Sequence, residues 1–368
     1  MQRVLTTLLW TVGLLAVIDM AVGWTFQLPV DPRQKPSMMQ RYFDYGRSIE
    51  GKLRHQTGPT PDRDAPMLQA GWLTKECGGE AATPAGQFGV DLYGMSFSSK
   101  IAAEMTKLDP GVTVHSFAGP GASPNFSFAC FQHRRATGRE PAPVQIFSVL
   151  ASSLPRLQTV SGLTTSFEEP APFTYPRYRV GAGGRLLETA PGVQTADEFH
   201  AILADPVRWQ AYLDHLAAQD AFYQPWLIRA DIFDHSVIGR MIRRAWGQQH
   251  KRALVAALRA DEGFAGAPEI PQVLGAILRD FAANARKAGA RPVVLLIEDQ
   301  GIGTALSKVA GPMLAADGIE FLATSTIASP RDTQNFITDG HFTAPVSVKI
   351  ARALLTMLGR MTQVSLKP

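Results

Sequence analysis

Five short apolar runs constrain this chain more than any other feature. They are VDLYG from Val90, VTVHSF from Val112, VQIFSVL from Val144, RPVVLLIE from Arg291 and IEFLATST from Ile319. The first three are continuous apolar runs more than alternating ones, as expected of a parallel sheet covered on both faces; RPVVLLIE reads as a buried strand and IEFLATST as a fifth strand. Helical patterns lie between and after them: SSKIAAEMTKL, IPQVLGAILRDFAANARKAGA, ALSKVAGPMLAADG and the closing APVSVKIARALLTMLG. This alternation predicts an α/β fold, a three-layer doubly wound sheet that is mostly parallel. The alternation breaks after the third strand. TYPRYRVGAGGRLLETAP, from Thr174 to Pro191, reads as a hairpin, and long helical stretches run from about Thr195 to Arg259. An insertion of hairpin plus helices, at about 160–265, therefore interrupts a domain spanning 88–368.

The N-terminus imposes a second constraint. VLTTLLWTVGLLAVIDMAVGWTF, Val4 to Phe26, is long enough to cross a bilayer as a helix, which takes about 20 mostly apolar residues. Its one carboxylate, Asp19, sits toward the distal end. Ala21–Gly23 has the small-residue spacing of a signal-peptide cleavage site, so a cleaved signal stands as the rival of a retained anchor over residues 1–26. The length of the apolar stretch favours the anchor. Arg3 precedes the stretch and Arg33, Lys35 and Arg41 come after it, so charge does not set the orientation. A lone N-terminal span usually exports the domain C-terminal to it, which places the remainder outside the cytoplasm, periplasmic or extracellular. Residues 27–87 are polar and rich in Pro and Gly. They read as an irregular lead-in with one short amphipathic helix in MMQRYFDYGRSIEGKLRH.

The chain has 368 residues with 45% hydrophobic content, enough for one large domain with a sizeable core. Net charge is +4. The densest basic stretch, Arg240 to Arg259, reads as a solvated helix face, and a nucleic-acid partner is not expected. The two cysteines, Cys77 and Cys130, form no C-x-x-C pair, so neither a zinc nor a redox motif is indicated. Outside the cytoplasm a single disulfide is open to them.

Ligands of a doubly wound sheet bind beyond the carboxyl ends of its strands. After the first strand comes GMSFS, Gly94 to Ser98; after the second, AGPGAS, Ala118 to Ser123; after the third, ASSLPRL from Ala151; before the closing helix, TDGHFTAP with Asp339 and His341. A serine at a strand-to-helix turn is first of all an N-cap. Here, however, a hydroxyl, a glycine cluster and an acid–histidine pair converge on one rim. Ser96 is the candidate nucleophile, His341 the base that takes its proton, and Asp339 the group that fixes the imidazole. The Ser96 amide at a helix N-terminus and the Gly121 backbone are candidate oxyanion donors.

These blocks resemble the SGNH, or GDSL, hydrolase family. GMSFS stands where the family has Gly-Asp-Ser-x-Ser, GPGAS offers the oxyanion glycine as Gly121, and DGHFTAP offers the acid and histidine as Asp339 and His341. The resemblance covers about Gly89 to Ser153 and Arg291 to Leu358. Three departures stand out. Met95 replaces the aspartate of the first block. LASSL replaces the Gly-x-Asn-Asp block, so Ser153 or Ser152 must supply the missing oxyanion donor. Asp339 and His341 are one residue closer than the usual pair, an arrangement similar to that of SGNH-like polysaccharide O-acetyltransferases. If Asp339 cannot reach the imidazole, Asp332, Glu298 and Asp299 are the alternatives. The resemblance implies an SGNH/flavodoxin-like sheet and a membrane-anchored serine esterase or O-acyltransferase. Such an enzyme acts without a cofactor on O-acyl groups of an extracytoplasmic carbohydrate. The alternative is a silent SGNH-like domain that binds polysaccharide or docks on a polysaccharide synthesis or export complex. The α/β-hydrolase elbow G-x-S-x-G is excluded because Ser98 occupies its second glycine position.

Other motifs carry less. His115 lies within a strand and reads as structural. DIFDHS, Asp231 to Ser236, lacks a third convincing metal ligand. The aromatic residues of RWQAYLDHLAAQDAFYQPW recur at helical spacing and read mainly as core. GAGG in the hairpin is a turn, since it opens no helix after a buried strand.

Overall fold

The computed structural model describes residues 2–31, 34–57, 70–79, 82–138, 140–259, 264, 266–300 and 303–360. Parts of the expected lead-in, at 32–33, 58–69 and 80–81, lie outside the described residues. The chain forms two compact units. One comprises Met1–Gln69, Ser161–Phe173 and Ala196–Val255; the other comprises Ala70–Val160, Thr174–Thr195 and Ala256–Pro368. Most of the expected insertion thus groups with the N-terminal residues, while the hairpin segment groups with the sheet.

The sheet unit contains β1 (Phe88–Met95), β2 (Val112–Gly119), β3 (Val144–Leu150), β4 (Arg177–Val180), β5 (Leu186–Thr189), β6 (Arg291–Ile297) and β7 (Glu320–Ala323). Five of these form one sheet in the order β2-β1-β3-β6-β7. All four of its pairings are parallel. Counting only sheet strands, this is the doubly wound order 2-1-3-4-5, whose direction reverses beside β1. The apolar runs explain the burial: Val90, Leu92, Ile146, Phe147 and Val293 to Ile297 have no exposed surface. The expected hairpin is present, with β4 and β5 antiparallel and turning through Ala182–Gly184.

Among the described residues five longer helices flank the sheet: α1 (Ser96–Leu108), α2 (Pro124–Ala136), α3 (Glu269–Lys287), α4 (Ala305–Ala316) and α5 (Ala344–Met357). Helix α1 packs on β1, β2 and α5; α2 packs on β1, β3 and α3; α4 packs on β6, β7 and α3. With right-handed crossovers, α1 and α5 lie on one face and α2, α3 and α4 on the other. In α3 the apolar stripe Ile270, Val273, Leu274, Ile277, Leu278 and Phe281 is buried, the spacing of a helix with one core-facing side. A short helix, Leu73–Cys77, is tied to α2 by a Cys77–Cys130 disulfide with Cα atoms 5.4 Å apart.

The other unit is helical. Its first helix, Gln2–Thr25, is long and apolar enough to cross a membrane over Arg3–Thr25, and Val4, Leu5, Leu8 and Leu9 are exposed along it. The single amphipathic helix expected over 38–55 is instead two, Met38–Asp44 and Ile49–Thr57. The break has a packing cause. A Cβ at Gly46 would collide with the Arg240 carbonyl, and Asp234 accepts from both the Ser48 N–H and hydroxyl. The helices Ala196–Ala204, Pro206–Gln219, Pro225–Ile228 and Val237–Arg259 fulfil the long helical stretch expected from Thr195.

Candidate active site

The turn between β1 and α1 settles what Ser96 does locally. Met95 is the N-cap, in extended backbone at φ −137° and ψ −174°. Ser98, not Ser96, closes the helix start: its Oγ accepts from the Met95 N–H at 2.8 Å and donates to the Met95 carbonyl at 2.6 Å. Ser96 is the first helical residue, and its amide is among those without an intrahelical partner. Among the described residues the only non-glycine with positive φ is Phe264, so Ser96 is not in the strained conformation of a nucleophile elbow.

The Ser96 hydroxyl meets His341 instead, with His341 Nε2 2.8 Å from Ser96 Oγ. Ring and backbone contacts fix His341. Its ring stacks on Phe97 with centroids 4.5 Å apart, and Phe97 meets Phe342 edge-on. Its carbonyl accepts from the Ile337 N–H at 2.8 Å, and Gly340 N–H donates to the Ile337 carbonyl at 2.9 Å. Gly340 has φ +86°. A turn closed in this way needs a left-handed residue before its bulge, and glycine supplies it without strain. Phe336 and Phe342 pair across the turn and stack. The loop is therefore a small locked hairpin, and His341 is presented by it.

Asp339 reaches the histidine despite the short spacing. Its Oδ1 lies 3.0 Å from His341 Nδ1 and also accepts from the His341 backbone N–H at 3.0 Å. The ring contact is close but off-axis, so Nδ1 makes no well-aligned hydrogen bond. The bond from the His341 backbone N–H, with the imidazole beside it, holds the Asp339 carboxyl below the usual aspartate range. Asp339 is 58% exposed and His341 18%, so the carboxylate faces water and the imidazole is mostly shielded. The reserve acids are engaged elsewhere: Asp332 with the Gln334 N–H, Glu298 with Ser307, and Asp299 with the Ser152 N–H.

Gly121 lies two residues beyond the end of β2, the strand whose last residue pairs with Met95. It has φ +59°, and a Cβ there would sit 2.7 Å from Arg156 Nη1. The Arg156 guanidinium donates to the Gly121 carbonyl, which ties the glycine loop to the segment after β3. Ser153 departs from expectation. Its hydroxyl is buried and donates to the Leu150 carbonyl at 2.7 Å, so its one proton is committed to the backbone. The expected oxyanion donation from Ser153 would need its hydroxyl to leave the Leu150 carbonyl. Ser152 keeps an exposed side chain, while its amide donates to Asp299 at 3.0 Å.

Two features escaped the sequence. Phe97 supports the histidine, and only its adjacency to Ser96 hinted at that. Arg156 grips Gly121, and nothing in ASSLPRL announced it. The discounted motifs have structural partners. His115 Nδ1 lies 2.9 Å from Asp91, its register partner across β1 and β2, and Asp91 also accepts from the Ala142 N–H. Within the helical unit Asp231 and Asp234 both bind Arg243, which has no exposed surface. Neither a protein-family model nor a curated protein sequence matches the chain.

Proposed function

We propose that this chain is a membrane-anchored serine esterase or O-acyltransferase of SGNH type. It acts outside the cytoplasm on O-acyl groups, foremost O-acetyl, of a carbohydrate. The observation that carries the reading is the 2.8 Å contact between Ser96 Oγ and His341 Nε2. With the ring proton on Nδ1 toward Asp339, Nε2 accepts from the serine hydroxyl. A hydroxyl is a poor nucleophile until a base takes its proton. Ser96 Oγ attacks the ester carbonyl as its proton passes to His341. The tetrahedral oxyanion is met by the Ser96 amide at the start of α1 and by the Gly121 backbone. His341 returns the proton to the departing sugar oxygen, leaving an acyl-serine. Water or a second sugar hydroxyl, deprotonated by His341, then attacks the acyl carbonyl; the bond to Ser96 Oγ breaks, and Ser96 Oγ takes the proton back from His341.

The carbohydrate preference comes from the resemblance and the surface location. The Cys77–Cys130 disulfide supports an oxidising compartment, and the apolar Arg3–Thr25 helix supports anchoring. Water exclusion at the acyl-enzyme stage decides between hydrolysis and transfer. The test is turnover of a chromogenic acetyl ester by the full chain, with mass spectrometry of the Ser96 peptide. An acetyl adduct on Ser96 that accumulates and then turns over is expected; hydrolysis without any adduct contradicts the reading.

A second reading is favoured by two observations. Met95 is fully buried where the family has an aspartate, and Ser153 is committed to the backbone. A silent domain that binds polysaccharide, or docks on a synthesis or export complex, would keep the fold and bind glycan with no Ser96-dependent turnover.

A further inference from the structure

Asp19 is the carboxylate that interrupts the apolar N-terminal helix, and within the helical unit it is not left to solvent. Its Oδ1 accepts from the Ile238 N–H at 2.6 Å and from the Ser236 hydroxyl at 3.1 Å. Ile238 lies in the first turn of the helix Val237–Arg259, so Asp19 meets the unpaired amides and positive dipole end of that helix. Around it, Val22, Gly23 and Phe26 are partly covered while Ala21, Trp24 and Thr25 are exposed. Positions 19, 22, 23 and 26 form one helical stripe. Phe26 packs on Phe43 at 5.2 Å, and a Cβ on Gly23 would lie 3.5 Å from Val237 Cγ2. The end of the apolar helix is thus a built part of this unit.

Length then fixes depth. A hydrocarbon core of about 30 Å takes about 20 helical residues at 1.5 Å each. Counted from Val4, they end at Gly23, beside Val237. Asp19 lies about 6 Å inside that end, so Ser236 and Ile238, bound to Asp19, and Val237, beside Gly23, occupy the last turn of the span, where hydrocarbon gives way to headgroups. From that point an apolar surface continues. Ile232 is 79% exposed, Ile242 53%, Phe233 38% and Trp246 37%. Ile238, Ile242 and Trp246 recur every fourth residue, on one helix stripe. Trp226 joins the patch, meeting Phe233 at 5.9 Å and Trp246 at 5.2 Å. Tryptophans at such a boundary suit the headgroup layer, where one end of the ring is apolar and the other wet.

We infer that Ile232, Phe233, Ile238, Ile242 and Trp246 form a lipid-docking surface, seated in the headgroup region of the bilayer that the N-terminal helix spans. The occupant is the bilayer surface itself, because the patch begins where the helix leaves the hydrocarbon. Cleavage after Gly23 would remove Asp19, Val22 and Gly23 together, so the same contacts require a retained helix. This rests on the anchoring part of the proposed function and is independent of Ser96 chemistry.

The test is spin-label depth measurement on the full chain in nanodiscs holding only phosphatidylethanolamine and phosphatidylglycerol. Labels go on Ile232→Cys and Ile242→Cys, with Leu9→Cys as a reference inside the span and Val207→Cys, exposed in the same unit, as a reference for water. Labels at 232 and 242 are expected to relax more with oxygen and several-fold less with a water-soluble nickel chelate than the label at 207. If those two labels match the label at 207 while the label at 9 is in lipid, the docking surface is overturned and anchoring stands. The same result is expected if the true occupant is a glycan or a partner protein, since neither is present. If the label at 9 is also in water, anchoring and docking fall together. Serine turnover decides the chemistry separately.

Discussion

His341 Nε2 lies 2.8 Å from Ser96 Oγ across 245 residues of chain. The fold brings them together because β1 and α5 serve the same rim. Ser96 opens α1 after β1, α5 packs on α1, and the locked hairpin before α5 carries the imidazole.

The two partners of Ser96 chemistry should not be equal. Removing the base by His341→Gln is expected to lower ester turnover by about 10²–10⁴-fold, the usual worth of a positioned general base. Asp339→Asn should lower it less, because the carboxylate is exposed and its ring contact is off-axis. Comparing kcat for the two variants checks the order. Equal losses would make Asp339 as important to turnover as the base itself.

Phe97 stacks on the His341 ring, so on the proposed chemistry it acts by positioning the base. Phe97→Leu keeps an apolar side chain but loses the ring face. A drop of about tenfold in kcat with KM unchanged is expected. A matched rise in KM would instead place Phe97 in substrate binding.

The disulfide closes a loop with a sequence separation of 53. On the chain-entropy account a loop of that size is worth about 4 kcal/mol. Cys77→Ala with Cys130→Ala should lower the unfolding free energy by about that amount in denaturant titration, with the oxidised parent as reference. Reducing the parent should give the same loss.

Lys52 gives the helical unit a pH signature. It is buried, it donates to the Tyr45 carbonyl at 2.8 Å and to the Phe167 carbonyl, and its ammonium lies 4.0 Å from the Phe167 ring centre. Burial, partly offset by Asp44, lowers its pKa to about 7 from 10.5. The unfolded chain then binds more protons than the folded one between about pH 7 and 10.5. Stability contributed at this site is therefore least below pH 7 and rises with pH across that window, by at most about 1.4 kcal/mol per pH unit. Melting curves of the parent from pH 7 to 9 should show the rise, and Lys52→Met should flatten it. An unchanged slope in the variant rules Lys52 out as its source.

Much of this was legible in the chain. The apolar runs announced five parallel strands; the central three, β1, β3 and β6, are buried on both faces, while β2 and β7 at the sheet edges stay partly exposed. The rule that ligands gather at strand ends brought Ser96, Gly121, Asp339 and His341 into view. What stayed hidden depends on contacts between distant side chains. Ser98 took the capping role that local preference offers any serine near Ser96. Ser153 turned its hydroxyl back to Leu150, a choice no spacing reveals. The break at Gly46 comes from Arg240 and Asp234, almost two hundred residues away. Asp19 interrupts an apolar span, and only the fold puts Ser236 and Ile238 beside it.

The most direct measurement is covalent labelling of the full chain by a fluorophosphonate, which reacts only with an activated serine. Strong labelling of the parent is predicted, mapped to Ser96, absent in Ser96→Ala and at least a hundredfold slower in His341→Gln. Labelling that survives Ser96→Ala, or a parent that stays unlabelled, would contradict the claim that His341 activates Ser96.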